Sequence, residues 1–484
     1  MASSGDRRGK HTVLVIGGGL AGCAAARALT DSGHRAIVLE ASNVVGGRCR
    51  QVEVGGVNFE AGCEFLHGGE SAAKVLADEV GLPCERVFTT AHGDGGPDDE
   101  PAPDGSVGFY YVGETLHAHD SEALTTLNDA LGEVGEVTES GRRSLEHYLR
   151  GERGVGDEAL IDLAKASYSN TLGVGDSLDC LPLAAVAHLE RLWSASDGEG
   201  DYRAAQTHSL ATLTTALATG STVHVGCVVR RLVATGHRTV LAIDTHGRRF
   251  EGIAAIVAVP VSVLQRRGVH FSPELPLDKW EAICSIQMRE AVKVICVFES
   301  PPWAGASDSA SDGSGAASDE GAWPKVQSVI TAGRPGEVVP EMWFKRAVGG
   351  EWLASGFATG AYAAALASLG EPAAVDLMVA QLCRVLPGKV VGVSTLRRRL
   401  RAAKLVDWSA DEHVLGGYSA PSFGEGETAR LLYRRPEWRG ARGPMLGFAG
   451  EASEDAMMTM SAAINSGRRA VANLAETLVP ASRL

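Results

Sequence analysis

Residues Gly17-Gly18-Gly19-Leu20-Ala21-Gly22 stand between a short apolar run, 12–16 (TVLVI), and an alanine-rich stretch, 20–32, that closes at Gly33. A run of that length and β-branched content predicts a buried parallel strand, and the alanine-rich stretch predicts a helix. Residues 35–39 (RAIVL) predict a second strand ending at Glu40. The chain therefore opens with a β-α-β unit whose first turn is G-x-G-x-x-G. Gly17 permits the tight turn, Gly19 lets a pyrophosphate approach the backbone, and Gly22 lets the helix pack against the strand. The helix N-terminus supplies N–H groups for phosphate. Glu40, 18 positions after Gly22, offers a carboxylate to an adenosine ribose and would repel a 2′-phosphate, which disfavours NADP. Strand, turn, helix and acid in register predict a dinucleotide site, but they do not separate NAD from FAD.

The remaining chain is long enough for two or three domains at 484 residues, and 45% hydrophobic content supports large cores. A net charge of −14 argues against a nucleic-acid partner; it suits either cationic ligands or solubility alone. Nine scattered cysteines without a C-x-x-C pair argue against a disulfide framework or a cysteine zinc site, and no metal is expected. The longest uncharged apolar runs, 252–264 and 353–369, predict no membrane span. Pro260 breaks the first, and Gly, Ser and Thr dilute the second.

Further along, helices are predicted over 121–149, 157–168, 208–218, 261–267, 372–385 and 459–478. Strands are predicted over 222–229, 239–243, 253–259, 291–298, 352–358 and 445–449. The acidic Gly/Pro stretch 92–106 reads as a solvated loop, and the Ser/Ala/Asp/Gly segment 304–322 as a disordered insertion.

Five more segments narrow the field. They are Gly46-Gly47-Arg48; residues 57–68 (VNFEAGCEFLHG); Val257-Ala258-Val259-Pro260 through Leu264 to Phe271-Ser272-Pro273; Val292-Lys293-Val294 with Phe298 and Trp303; and Trp408, Gly417-Tyr418-Ser419 and Gly447-Phe448-Ala449-Gly450-Glu451 with Ser466-Gly467. In this order, from about residue 12 to 475, the chain resembles the flavin-dependent amine oxidase family, and within it the polyamine oxidases. The resemblance implies an α/β fold: a Rossmann-like FAD-binding domain of the amine oxidase type, interleaved with an α+β substrate-binding domain. The FAD domain would take 10–75, 205–268 and 420–480, and the substrate domain 76–204 and 269–419.

The same resemblance assigns roles. Gly17, Gly19, Gly22 and Glu40 would hold the ADP half of FAD, with Gly46, Gly47, Arg48 and Gly62 along the pyrophosphate and the flavin edge. Val228 would meet the adenine, Glu451 would bond the ribityl or pyrophosphate region, and the Met460 N–H would face the flavin O2 edge. Lys293 would stand near flavin N5, although spacing alone favours a lysine that snorkels to the surface. Tyr418 would orient the amine, Thr459 would leave room for a larger one, and Trp408 would pack beside lysine and flavin. His67 would accept a proton or hydrogen bond from the amine, and Glu64 could attract a cation. Gly417 stands where monoamine oxidases carry the cysteine that bonds flavin, so noncovalent FAD is implied. Gln206-Thr207-His208-Ser209 departs from a usual Gly-Gly pair, which leaves the channel geometry there open.

The implied reaction is oxidation of a polyamine by hydride transfer, imine hydrolysis to aldehyde and amine, and reduction of O2 to hydrogen peroxide. Ser482-Arg483-Leu484 resembles a peroxisomal address and implies an import receptor as partner; the location is cytoplasmic if the signal is not read. Alternatives are a histone lysine demethylase, for which only 11 residues precede the first strand, an L-amino-acid oxidase, and a non-catalytic flavin-binding protein.

Overall fold

The opening β-α-β unit forms as its residues predict, with a strand at Thr12–Ile16, a helix at Leu20–Asp31 and a second strand at Arg35–Leu39. The computed structural model describes residues 11–87, 107–118, 121–138, 141–196, 198, 200–205, 208–236, 239–302, 326–332, 337–347, 349–386, 392–421, 423, 428–440 and 443–478. The acidic stretch 92–106, Gln206-Thr207, Trp303, the 304–322 insertion and Ser482-Arg483-Leu484 lie outside these residues.

The first strand sits near the middle of a six-stranded sheet. Its order is Thr222–His224, Arg35–Leu39, Thr12–Ile16, Ala254–Val257, Gly443–Phe448 and Glu437–Gly440. The first five strands run parallel and only the last is antiparallel. Alternate residues face opposite cores, as the two-residue period requires. Val13, Val15, Val38 and Ile256 meet the helices carrying Ala25, Leu29 and Ala470. Leu14, Ile16, Leu39 and Val257 meet Leu232, Phe271 and Phe448 on the other side. Both faces are covered, which explains the continuous apolar run at 12–16.

A second sheet of seven strands carries Leu400–Asp407, Ala291–Phe298, Trp352–Thr359, Glu341–Arg346, Val326–Thr331, Val107–Val112 and Thr115–Ala118, in that order. One face is covered by the helix Gly360–Val385 through Leu366, Val375, Met378 and Leu382. The other faces the cavity described below. A helical region centred on Leu127, Leu149, Ile161 and Val186 packs as a further core.

Three expectations are corrected. The predicted helix over 121–149 is broken into short pieces, Thr125–Gly132 among them, and restarts at Leu145–His147. Gly132, Gly135 and Gly141 raise the cost of a continuous helix there, and the Ser144 side chain caps the restart by accepting from the His147 N–H. The predicted helix at 372–385 begins at Gly360 instead and crosses a break at Gly370, where φ is +72° just ahead of Pro372. By length and composition that helix could cross a membrane, contrary to the expectation of no such segment. Ala363, Leu366, Ala374, Val375, Met378 and Leu382 pack on the seven-stranded sheet, while Leu369 and Ala373 are exposed.

The helices 20–31 and Met460–Ala472 cross at Gly467, where a Cβ would lie 2.2 Å from the Ala21 carbonyl oxygen and 2.8 Å from the Ala25 nitrogen. Both neighbours are backbone, so neither can give without moving a helix. Alanine's better helix propensity is worth only about 1 kcal/mol, against about 1–3 kcal/mol for overpacking. Gly467→Ala is therefore expected to lower the thermal unfolding midpoint, read by circular dichroism; a raised midpoint would show that the helices part freely.

Candidate functional site

A cavity of about 1200 Å³ runs from the glycine turn of the parallel sheet to the open face of the seven-stranded sheet. Every site residue named from the sequence lines it except Gly22. Gly22 works from behind: a Cβ there would sit 1.9 Å from the Gly17 carbonyl oxygen, so glycine is what allows the helix onto its strand. Gly17 has φ +104°, and a side chain would meet the Ala258 carbonyl at 2.8 Å. Gly19 caps the helix 20–31, and nothing lies within 3.9 Å of where its Cβ would be, so its backbone is open to the cavity.

Glu40 is buried at the end of its strand. Its carboxylate accepts from the Gly18 N–H at 2.5 Å and the Ser42 N–H at 2.7 Å, which ties the strand to the glycine turn. Val228 lines the same end, its carbonyl accepting from the Thr245 N–H. Gly46 and Gly47, at φ +136° and +57°, turn the chain so that Arg48 reaches across the cavity.

Arg48 donates through Nη1 to Glu451 Oε1 and to the Gly417 carbonyl, both at 2.8 Å. Glu451 is 4% exposed. Its Oε1 also accepts from the Ser419 N–H at 3.2 Å, and Oε2 accepts from Ser419 Oγ at 2.7 Å and the Met458 N–H at 3.2 Å. Burial alone would raise its pKa; the Arg48 guanidinium, the hydrogen bonds from Arg48 and Ser419, and Arg430 together hold it below the usual value. Four donors fill a carboxylate's four lone-pair sites. Glu451 thereby holds Arg48 and the 417–419 segment in place.

Thr459 caps the helix Met460–Ala472, its Oγ1 accepting from the Ala462 N–H at 3.0 Å, and Met460 begins the first turn at the cavity wall. The positive end of a thirteen-residue helix therefore faces the cavity. The buried Tyr433 also lines it, and its hydroxyl has no hydrogen-bond partner among the described residues. Open glycine backbone, a helix N-terminus and an unpartnered hydroxyl along one long cavity fit a dinucleotide cofactor.

The far end is built on the seven-stranded sheet. Lys293 is 2% exposed, so it does not snorkel to the surface. Its Nζ donates to Glu64 Oε2 at 2.6 Å and the Glu60 carbonyl at 3.3 Å, and lies 5.6 Å from the centroid of the Trp343 ring. Trp408 is buried at the cavity wall, donating Nε1–H to the Ala61 carbonyl at 2.9 Å under the Arg50 guanidinium. Gly62 admits that ring, since a Cβ there would come within 3.0 Å of it. The Tyr418 hydroxyl donates to the Thr171 carbonyl at 2.8 Å, and burial, with lesser effects from Glu341 and Glu451, raises its pKa. His67 sits in a two-residue strand, with Nδ1 2.7 Å from Asp201 Oδ1.

Glu341, Asp201, Trp343, Phe357 and Glu190 also line this end and were not found from the sequence. Asp201, Glu341, Trp343 and Phe357 stand on strands that are short or carry no distinctive motif, and Glu190 comes from the helix Leu183–Ser196; only tertiary packing brings them together. Among the described residues, no three or more His, Cys, Asp or Glu side chains converge as a metal site.

Comparison with known proteins agrees with this geometry. The profile of the flavin containing amine oxidoreductases matches residues 20–475. Polyamine oxidase 2 of Arabidopsis thaliana is 26% identical over 93% of this chain and 85% of its own length. Lysine-specific histone demethylase 1 homolog 2 of Oryza sativa subsp. japonica is 30% identical, but over 60% of this chain and 37% of that protein. The structure of putrescine oxidase bound to putrescine superposes with a TM-score of 0.71 at 18% identity, covering 96% of this chain and 99% of the other. At that identity the likeness speaks for the fold.

Removing the Glu451 charge leaves Arg48, a quarter exposed, without its partner. Glu451→Gln is expected to cost about 1–3 kcal/mol of stability and to loosen retained flavin. Both are measurable, as a lower unfolding midpoint and as flavin lost on gel filtration; unchanged retention would show that the pair is dispensable.

Proposed function

The chain belongs to the flavin-containing amine oxidoreductase family, and within it we propose an FAD-dependent oxidase of polyamines that reduces O2 to hydrogen peroxide. The observation that carries this reading is the wall of the cavity's far end, where Glu64, Glu190, Asp201 and Glu341 accompany Trp343, Phe357 and Tyr418. Carboxylates beside aromatic faces recognise a cationic aliphatic chain. Polyamine oxidases related along nearly the whole chain support the substrate class.

A bound flavin supplies a hydride acceptor for the amine α-carbon and a route for electrons to O2. The chain's own residues do the rest. Arg48, the helix end at Met460 and the backbone of Gly17 and Gly19 bind the cofactor. A side chain at Gly417 would come 2.3 Å from Ala291 Cβ, which favours noncovalent attachment. Tyr418, held by Thr171, orients the amine, and the aromatic wall excludes water so that the reacting nitrogen sheds its proton. His67, with Nδ1 turned to Asp201, can take that proton on Nε2. Lys293 is held by Glu64 beside the reacting region, where its Nζ can stabilise developing negative charge.

The test is anaerobic mixing of the holoprotein with spermine, N1-acetylspermine, spermidine, tyramine and a methylated histone-tail peptide, following the flavin band near about 450 nm. Bleaching by polyamines supports the proposal. Bleaching by the peptide alone would move the protein to the demethylases, and bleaching by none would leave only the fold. Lys293→Met is expected to slow turnover on the order of 100-fold while flavin remains bound, as a stopped-flow comparison of the reductive and oxidative half-reactions would show.

A further inference from the structure

All nine cysteines are free thiols, and four of them bond to a group other than a thiol. Cys23 donates to the Gly18 carbonyl at 3.3 Å, Cys84 to the Leu82 carbonyl at 3.4 Å, Cys227 to Asp244 Oδ2 at 3.7 Å and Cys296 to the Met378 sulfur at 3.8 Å. Cys49 differs, because its thiol is hydrogen-bonded to the thiol of Cys63.

The backbone explains the meeting. The strands Gln51–Val54 and Val57–Glu60 pair antiparallel. Their ladder continues past the strand ends: the Ala61 N–H donates to the Arg50 carbonyl at 2.9 Å, and the Cys63 N–H to the Arg48 carbonyl at 3.2 Å. Cys63 is thus bonded to the residue immediately before Cys49. Opposed Cα atoms in such a ladder stand about 4.5–5.5 Å apart, and a disulfide spans about 4.4–6.8 Å. The main chain therefore already holds the two residues at a spacing that an S–S bond can bridge.

Burial divides the pair into two roles. Both residues line the large cavity, where Cys63 is half-buried. Cys49 is 2% exposed and packs in the core with Leu20, Ala24, Leu66 and Leu213. The hydrogen bond to Cys63, burial and the nearby Glu60 carboxylate raise the Cys49 pKa well above its ordinary value, so this thiol stays protonated. Cys63 is the sulfur that a small oxidant in the cavity can reach, and Cys49 is the neighbour shielded from it.

We propose that Cys49 and Cys63 are a peroxide-responsive dithiol, closed by hydrogen peroxide into an intramolecular disulfide. Cys63 Sγ attacks one peroxide oxygen and the O–O bond breaks, giving a sulfenic acid and, with the proton of the thiol, one water. Cys49 Sγ then attacks the Cys63 sulfur, the S–O bond breaks, and the departing hydroxide leaves with the Cys49 proton as a second water. The two thiols give up two electrons and two protons, and the peroxide takes up both. The new bond ties the turn that carries Arg48 to the segment that carries Glu64, each the chain neighbour of one cysteine. Hydrogen peroxide is the product proposed above for this same cavity, but the chemistry of the pair needs only the oxidant, whatever its source.

The experiment treats the holoprotein with graded hydrogen peroxide, unfolds it in iodoacetamide and maps the cysteines by mass spectrometry without reduction. Cys180 and Cys284 are exposed and serve as the internal reference. The expected result is the loss of two free thiols and a peptide pair joined through Cys49 and Cys63, at a dose no higher than the one that oxidises Cys180 and Cys284, with reversal by dithiothreitol. Cys49 and Cys63 both still alkylated at that dose, or either one joined to a different cysteine, overturns the proposal. In Cys49→Ser the Cys63 sulfenic acid has nothing to resolve it, so dimedone labelling at Cys63 is expected to rise on the order of tenfold over the wild type; labelling no greater than in the wild type counts against the pair. If that variant does not fold, the wild-type map decides alone. Because the peroxide is added, failure of the amine oxidase reading would leave either result intact.

Discussion

The Glu451 carboxylate joins three parts of the chain that are far apart in sequence: Arg48 after the glycine turns, Ser419 next to Tyr418, and Met458 just before the helix whose end faces the cavity. Both halves of the site depend on this junction. Arg48 can reach across the cavity because Glu451 and the Gly417 carbonyl hold its guanidinium. Tyr418 is aimed at Thr171 because Ser419 is pinned on the other side of it. A buried carboxylate with every lone pair satisfied is rigid as well as charged. The cofactor-binding and amine-binding ends are thus set by one group.

The electrostatics divide along the cavity. The end built on the parallel sheet offers helix N-termini and Arg48, which suit phosphate and a flavin ring carrying negative charge. The far end offers carboxylates, of which Glu64 is neutralised by Lys293 while Glu341 is bonded only by neutral donors. Such a gradient favours a cationic ligand beside an anionic cofactor.

The strands and helices of the opening unit were legible because their signals are local. An apolar run of five, a glycine turn, an alanine-rich helix and a terminal acid specify one supersecondary unit, and it forms within a residue of its expected bounds. The strand 291–298 was equally plain, being apolar except for Lys293 and fully buried. The stretch 121–149 misled because helix-forming residues dominate it, while the glycines that break it are scattered. Strands such as Leu400–Asp407 and Glu341–Arg346 carry charges at several positions and give no clean alternation.

By itself the sequence determined the opening β-α-β unit with its glycine turn, and its ordered motifs pointed to flavin amine chemistry. These conclusions rest on residues close together in the chain, where spacing translates directly into geometry. Tertiary structure decided that Lys293 is buried and paired, that Glu451 holds Arg48, and that Glu341 and Lys293 line the same cavity. Each outcome depends on strand register or on contacts between residues tens to hundreds of positions apart. Such contacts are chosen by the packing of whole sheets and helices, and no local pattern encodes them.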